Sequence, residues 1–168
     1  MTNVPVDELI IAEVVTRLQR ITIENDFAHD VAQVVRSNRL GTNWKPTPKT
    51  ILVRKGDEQR APELDLPGNP SAIGYLLPVE LEINGNADPR GTGSAETLPA
   101  ELLACVRQAI TNPPTNPKQW HTFGGLAIDA EFDAPVNELT DAGEVSGINV
   151  AISVWYRISE NNPYQARA

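Results

Sequence analysis

The sequence predicts an α+β fold: a mostly antiparallel sheet of four to five strands with two amphipathic helices packed on one face. Three observations carry this. Two segments repeat their apolar residues at the helical period of about 3.6 residues. Three others alternate apolar and polar residues, the period of a strand with one buried face. The order, helix, two or three strands, helix, two strands, lacks the βαβ rhythm of a doubly wound sheet. Clean alternation leaves one sheet face solvated or shared with a partner.

Ile10, Ile11, Val14, Val15, Leu18 and Ile21 fall on one stripe and predict a helix over residues 6–22. Asp7 and Glu8 near its start and Arg17 and Arg20 near its end suit the helix dipole. Val31, Val34 and Val35 predict a strand over 30–37. A basic connection follows, with Trp44 beside Lys45-Pro46, and Ile51 and Val53 predict a short strand over 50–54. Residues 55–71 carry three prolines and two glycines without an apolar period, which reads as a long loop or an extended hairpin tip.

Tyr75, Leu77, Val79, Leu81 and Ile83 then alternate with Leu76, Pro78, Glu80 and Glu82. Pro78 in the outward register calls for an edge position or a bulge. After turn signals at Asn84-Gly85 and 88–94, a second helix is predicted over 98–111. Thr97 is its N-cap candidate, Pro99 lies in its first turn, and Asn112-Pro113-Pro114 ends it. Its stripe is Leu98, Leu102, Leu103, Val106, Ala109 and Ile110. Two more alternating runs, 126–133 and 148–158, predict a hairpin with Ile128, Phe132, Ile152 and Val154 on one core face. The acidic segment between them is long enough for an extended hairpin. The chain therefore reads as a single domain, 1–168, with long loops at about 55–74 and 134–147.

A chain of 168 residues can bury a real core. Apolar residues at 40% and charged residues at 21% exclude a coiled coil and wholesale disorder, while 11 glycines and 14 prolines predict long turns. The single cysteine, Cys105, excludes an intramolecular disulfide and a cysteine-based zinc site; on the second helix's stripe it is a small core residue. The longest early apolar run, residues 9–12, is too short for a secretory signal or a membrane span, so a soluble protein of a reducing compartment is expected.

A net charge of −8 argues against a nucleic-acid binder that works by neutralising phosphates. The charge is unevenly placed. Seven of the fourteen basic residues lie between Arg36 and Arg60, whereas seven acids after Thr122 face only Arg157 and Arg167. Such polarity suits a subunit whose one end meets the opposite end of a neighbour. The candidate interface residues are Lys45, Lys49 and Lys55 on the basic side, and Glu138, Asp141 and Glu144 on the acidic side. Trp155 and Tyr164 are candidate aromatic anchors.

Catalytic patterns are missing. His29 and Asp30 are adjacent, and adjacent residues in extended backbone point to opposite faces. Asp129, Glu131 and Asp133 lack the glycine-turned loop of calcium sites, and Arg90-Gly91-Thr92-Gly93-Ser94 lacks the lysine of a phosphate loop. No enzyme activity, cofactor or metal is expected.

At the last strand, Val150-Ala151-Ile152-Ser153-Val154-Trp155-Tyr156-Arg157, followed by Asn161-Asn162-Pro163-Tyr164, resembles the end of tail terminator (tail completion) proteins of long-tailed bacteriophages. In that family a strand ending in Tyr-Arg leads to an Asp-Pro-Tyr-like close; here Asn162 replaces the commoner Asp, and the 55–71 segment is longer. The order of predicted elements agrees over most of the chain. The resemblance implies a non-enzymatic virion protein, assembled in the host cytoplasm, six copies of which form a ring on the head-proximal end of the tail tube. The ring ends tube growth and offers the surface for the head connector, and genomic DNA passes through its lumen without specific binding. An acidic ring repels phosphates, which keeps such a passage non-adhesive. The alternatives are another neck component, such as a head-closure or adaptor protein, a tail-tube subunit, or a small ligand-binding α+β domain.

Overall fold

The computed structural model describes residues 3–37, 49–68, 70–84, 97–139 and 145–167. Trp44, Lys45, the 90–94 glycine stretch, Asp141 and Glu144 lie outside them.

The fold is α+β, with two α-helices among the described residues, α1 (Val6–Leu18) and α2 (Leu98–Thr111). Among the described residues eight strands form one sheet: β1 (Gln33–Arg36), β2 (Thr50–Lys55), β3 (Gln59–Arg60), β4 (Ala72–Asn84), β5 (Asp129–Phe132), β6 (Val136–Leu139), β7 (Val145–Ser159) and β8 (Asn162–Ala166). The sheet thus exceeds the four to five strands expected, for a simple reason. β4 and β7 pair continuously from Ala72↔Ser159 to Asn84↔Gly147. Shorter strands lie end to end along their outer sides, β2 and β3 on β4, and β6, β5 and β8 on β7. Eight strands therefore occupy five positions across the sheet. It is mixed, because β1 runs parallel to β2, while the other pairings are antiparallel.

Alternation sorts the two faces as expected. Leu77, Val79, Leu81 and Ile83 of β4 stand opposite Val154, Ile152, Val150 and Ile148 of β7, and all eight are buried. They pack with Ile10, Ile11, Val14 and Leu18 of α1 and with Leu102, Val106, Ala109 and Ile110 of α2, so both helices cover one face. Phe132 pairs with Ile152 and Ala130 with Val154, which sets β5 in the expected register. Ile128 stands just before the strand, its N–H donating to the Trp155 carbonyl at 2.8 Å. Cys105 is a buried core residue.

Several boundaries move. Helix α1 ends at Leu18 rather than residue 22, because the β-branched run Ile21-Thr22-Ile23 favours extended backbone and Thr22 adopts it (φ −140°, ψ 152°). Ile21 still enters the core, fully buried, from beyond the helix end. The strand expected over 30–37 is confined to β1. Thr97 makes no side-chain cap at α2. Residues 55–71 contain β3 and a 3₁₀ turn (Pro62–Leu64), and 134–147 contains β6 and the start of β7.

Pro78 sits in a central strand, not at an edge, and the partner strand explains it. Its carbonyl accepts the Gly56 N–H at 2.8 Å, so its nitrogen faces the same gap, where β2 has ended and β3 has not begun. No ladder hydrogen bond is asked of the missing N–H. Gly56 fits because a Cβ there would lie 2.9 Å from the Pro78 carbonyl oxygen.

Candidate functional site

The sheet face turned away from the helices carries rows set by the same register: Leu52–Glu82–Asn149–Val136, Arg54–Glu80–Ala151 and Leu76–Trp155–Asp129. The 62–64 turn packs on this face at Gly74, where an added Cβ would lie 2.4 Å from the Leu64 Cβ. Beyond that turn, no helix among the described residues covers it. The edges also differ from one another. Among the described residues no strand pairs with the outer side of β1, nor with the outer sides of β5 and β6.

Electrostatics on this face are tightly local. The Arg54 side chain stands between Glu80 (3.7 Å) and Glu82 (3.5 Å). Partial burial, followed by the nearby Glu138 charge, pushes the Glu82 carboxyl above its ordinary range despite Arg54. Asn149 donates its Nδ2 to Glu138 at 2.6 Å. Val136 stands 64% exposed at the outer edge.

Of the expected interface residues, Lys49, Lys55, Glu138, Trp155 and Tyr164 lie among the described residues, and Lys45, Asp141 and Glu144 lie outside them. Lys49 and Glu138 share one end of the sheet, along the row Thr50–Asn84–Gly147–Glu138, with three strands' widths between β2 and β6. Lys55 is at the far end of β2, bonded to Asp7 of α1, which holds its ammonium above the ordinary lysine range against the effect of partial burial. Trp155 is half-buried on the outer face, and Tyr164, 45% exposed, lies on β8. The other basic side chains of this stretch also have partners within the chain: Arg36 with Glu8, and Arg60 with Asp65. Among the described residues, four of the basic side chains between Arg36 and Arg60 are therefore paired with carboxylates of the same subunit: Arg36, Arg54, Lys55 and Arg60.

A second feature lies on the helix side. The end of α1 and the segment 113–128 enclose a cleft of about 690 Å³. Arg17 forms its floor, 4% exposed, with Nε donating to Glu13 (2.9 Å) and Nη1 to the carbonyls of Ile110 (2.8 Å) and Trp120 (3.0 Å). Its guanidinium lies 4.5 Å over the Phe123 ring. Phe123, Gly124 and Gly125 have positive φ in succession. Sequence reasoning missed this cleft because it treated Arg17 as a dipole partner. The available signal was spacing, since Arg17 falls on the buried stripe Ile10, Val14, Arg17, Ile21.

Among the described residues no group of three or more histidine, cysteine, aspartate or glutamate side chains could hold a metal ion, and no helix is long and apolar enough to cross a membrane. Comparison of the chain with protein-family models finds no match, and comparison with curated proteins finds none.

Proposed function

We propose that this chain is a structural subunit of a long-tailed bacteriophage virion: a tail terminator whose copies, six by the family resemblance, close into a ring on the head-proximal end of the tail tube. The observation that carries the reading is the open sheet. One face packs against both helices, the other is largely uncovered among the described residues, and the two edges differ in length and sequence. A ring needs a heterologous contact, in which two unlike surfaces of the same subunit meet. Two unlike open edges suit that geometry, with edge pairing supplying backbone hydrogen bonds. The strand and close at 150–164, which resemble the family's end, belong to β7, an inner strand, and to β8, which pairs with its outer side next to one of those edges. Charge contributes direction more than affinity, because exposed ion pairs are worth roughly 0–1 kcal/mol each.

In this reading the ring stops tube growth, presents the surface for head connector or neck proteins, and lets genomic DNA pass an acidic lumen. Analytical ultracentrifugation and electron microscopy of the protein, alone and with purified tail tubes, test it. Closed rings and tubes capped at one end are expected. Open filaments of the protein alone favour a tail-tube subunit instead. A monomer that leaves tube length unchanged overturns the proposal.

A further inference from the structure

The cleft beside α1 holds a guanidinium nitrogen that nothing among the described residues satisfies. Glu13 offsets Arg17, whose Nη1 is committed to two carbonyls. Arg20, just beyond the end of α1, lines the same cleft, and its enclosed Nη1 has no hydrogen-bond partner among the described residues. An enclosed guanidinium nitrogen without an acceptor is unfavourable, so an acceptor in the cleft stabilises it when the Arg20 side chain turns to face it.

The remaining wall narrows the chemistry. Glu13, Arg17 and Arg20 together leave the lining with one net positive charge. A monoanion matches that, whereas a phosphate dianion brings a second negative charge towards Glu13. Pro113, Pro114, Ala127 and Ile128 contribute apolar surface to the same cleft. Gly124 and Gly125 line it too, and a Cβ built on either would meet nothing within 4 Å, so the backbone there is open to approach. The volume falls within the range of about 300–1,000 Å³ usual for small-ligand sites.

We propose that this cleft binds a monocarboxylate carried on a short apolar body, with Arg20 receiving the carboxylate in its planar fork. The carboxylate comes from a free aliphatic acid or from the C-terminus of a polypeptide. The inference is independent of ring formation and applies to subunit and ring alike.

NMR titration of the full chain with hexanoate tests it, with hexanamide as the uncharged analogue and inorganic phosphate as the alternative anion. Saturable shifts at the Thr122, Gly124 and Gly125 amides are expected with hexanoate. Hexanamide should bind roughly tenfold more weakly or worse, and Arg20→Gln should lose hexanoate by a similar factor, with Arg20→Lys retaining part. A leucine-ended tetrapeptide with a free C-terminus, compared with its amide, separates the sources: free-acid peptide tighter than hexanoate assigns a polypeptide end, and the reverse a free acid. Equal binding of hexanoate and hexanamide, unchanged binding by folded Arg20→Gln, or no shift at millimolar hexanoate overturns the proposal. Phosphate that displaces hexanoate at equal concentration overturns the choice of a monoanion. Should Arg20→Gln fail to fold, the hexanoate–hexanamide comparison on the unaltered chain decides alone.

Discussion

Arg17 shows how one side chain can answer to two levels of structure. Its position near the end of α1 suits the helix dipole, but its guanidinium is buried and satisfies the Ile110 carbonyl in the last turn of α2. A cation at a helix C-terminus is favourable, and here it belongs to another helix. Replacement by methionine keeps the length and apolar stem but strands two carbonyls and Glu13. A loss of about 2–4 kcal/mol is expected, since groups deprived of a charged donor in the interior bear their full desolvation penalty. Urea unfolding measures it, and an unchanged midpoint would show that the contacts contribute nothing. The position was legible in the spacing of the stripe; the partners were not, since Ile110 and Trp120 lie 93 and 103 residues away.

At the scale of elements, the 55–71 segment is the most informative. Its lack of apolar period predicts a loop, and its order comes instead from polar contacts. Arg60 makes a two-pronged contact with Asp65 (3.0 and 2.9 Å), and Asp65 also accepts the Gly74 N–H at 2.7 Å. Arg60 lies 5.2 Å over the Tyr75 ring, and the buried Tyr156 hydroxyl donates to Glu58. Burial first, and then the Glu58 carboxylate, push the Tyr156 phenol far above its ordinary range, so it stays a donor. Gly74 lets this turn sit on the sheet, because a Cβ there would lie 2.4 Å from the Leu64 Cβ and 2.5 Å from the Ala61 carbonyl oxygen. Gly74→Ala should therefore destabilise by roughly 1–3 kcal/mol, as overpacking does. Faster amide exchange at Ala61 and Leu64, whose N–H groups donate to Gly74 and Ala61, should accompany it. A stable variant with unchanged exchange would show that the turn is not seated through Gly74.

For the whole molecule, pH separates the two kinds of carboxylate. Arg60 first, and then the Gly74 N–H, hold Asp65 below its ordinary range; the stability it contributes is present at neutral pH and lost as pH falls through its lowered value. Glu82 is opposite. Burial raises it, so the folded state takes up a proton before the unfolded state does, and stability is gained as pH falls from the raised value to the ordinary one. Asp65→Asn should thus lower Tm at pH 7 and Glu82→Gln should raise it. Both differences should shrink on acidification, the two variants approaching the parent from opposite sides. Differences that persist unchanged into acid would detach these carboxylates from the pH response. The same local pairing bears on assembly: Lys55→Glu removes the contact with Asp7 as well as a surface charge, so an assembly defect in that variant needs a melting control.

Local pattern alone determined the fold class, both α-helices, the inward faces of β4 and β7 and the place of Cys105. Each follows from periods of two or 3.6 residues and a need to bury apolar surface, which are properties of neighbours in sequence. Tertiary structure decided the rest. The parallel pairing of β1, the division of long outer positions into collinear strands, the tolerance of Pro78 beside Gly56 and the burial of Arg17 all depend on partners distant in the chain. Charge shows the difference most plainly. Sequence order gathers basic residues between Arg36 and Arg60, but folding sets acids of α1, β4 and the 62–66 turn against four of them, because opposite charges at a few ångströms interact far more strongly than charges counted along a chain.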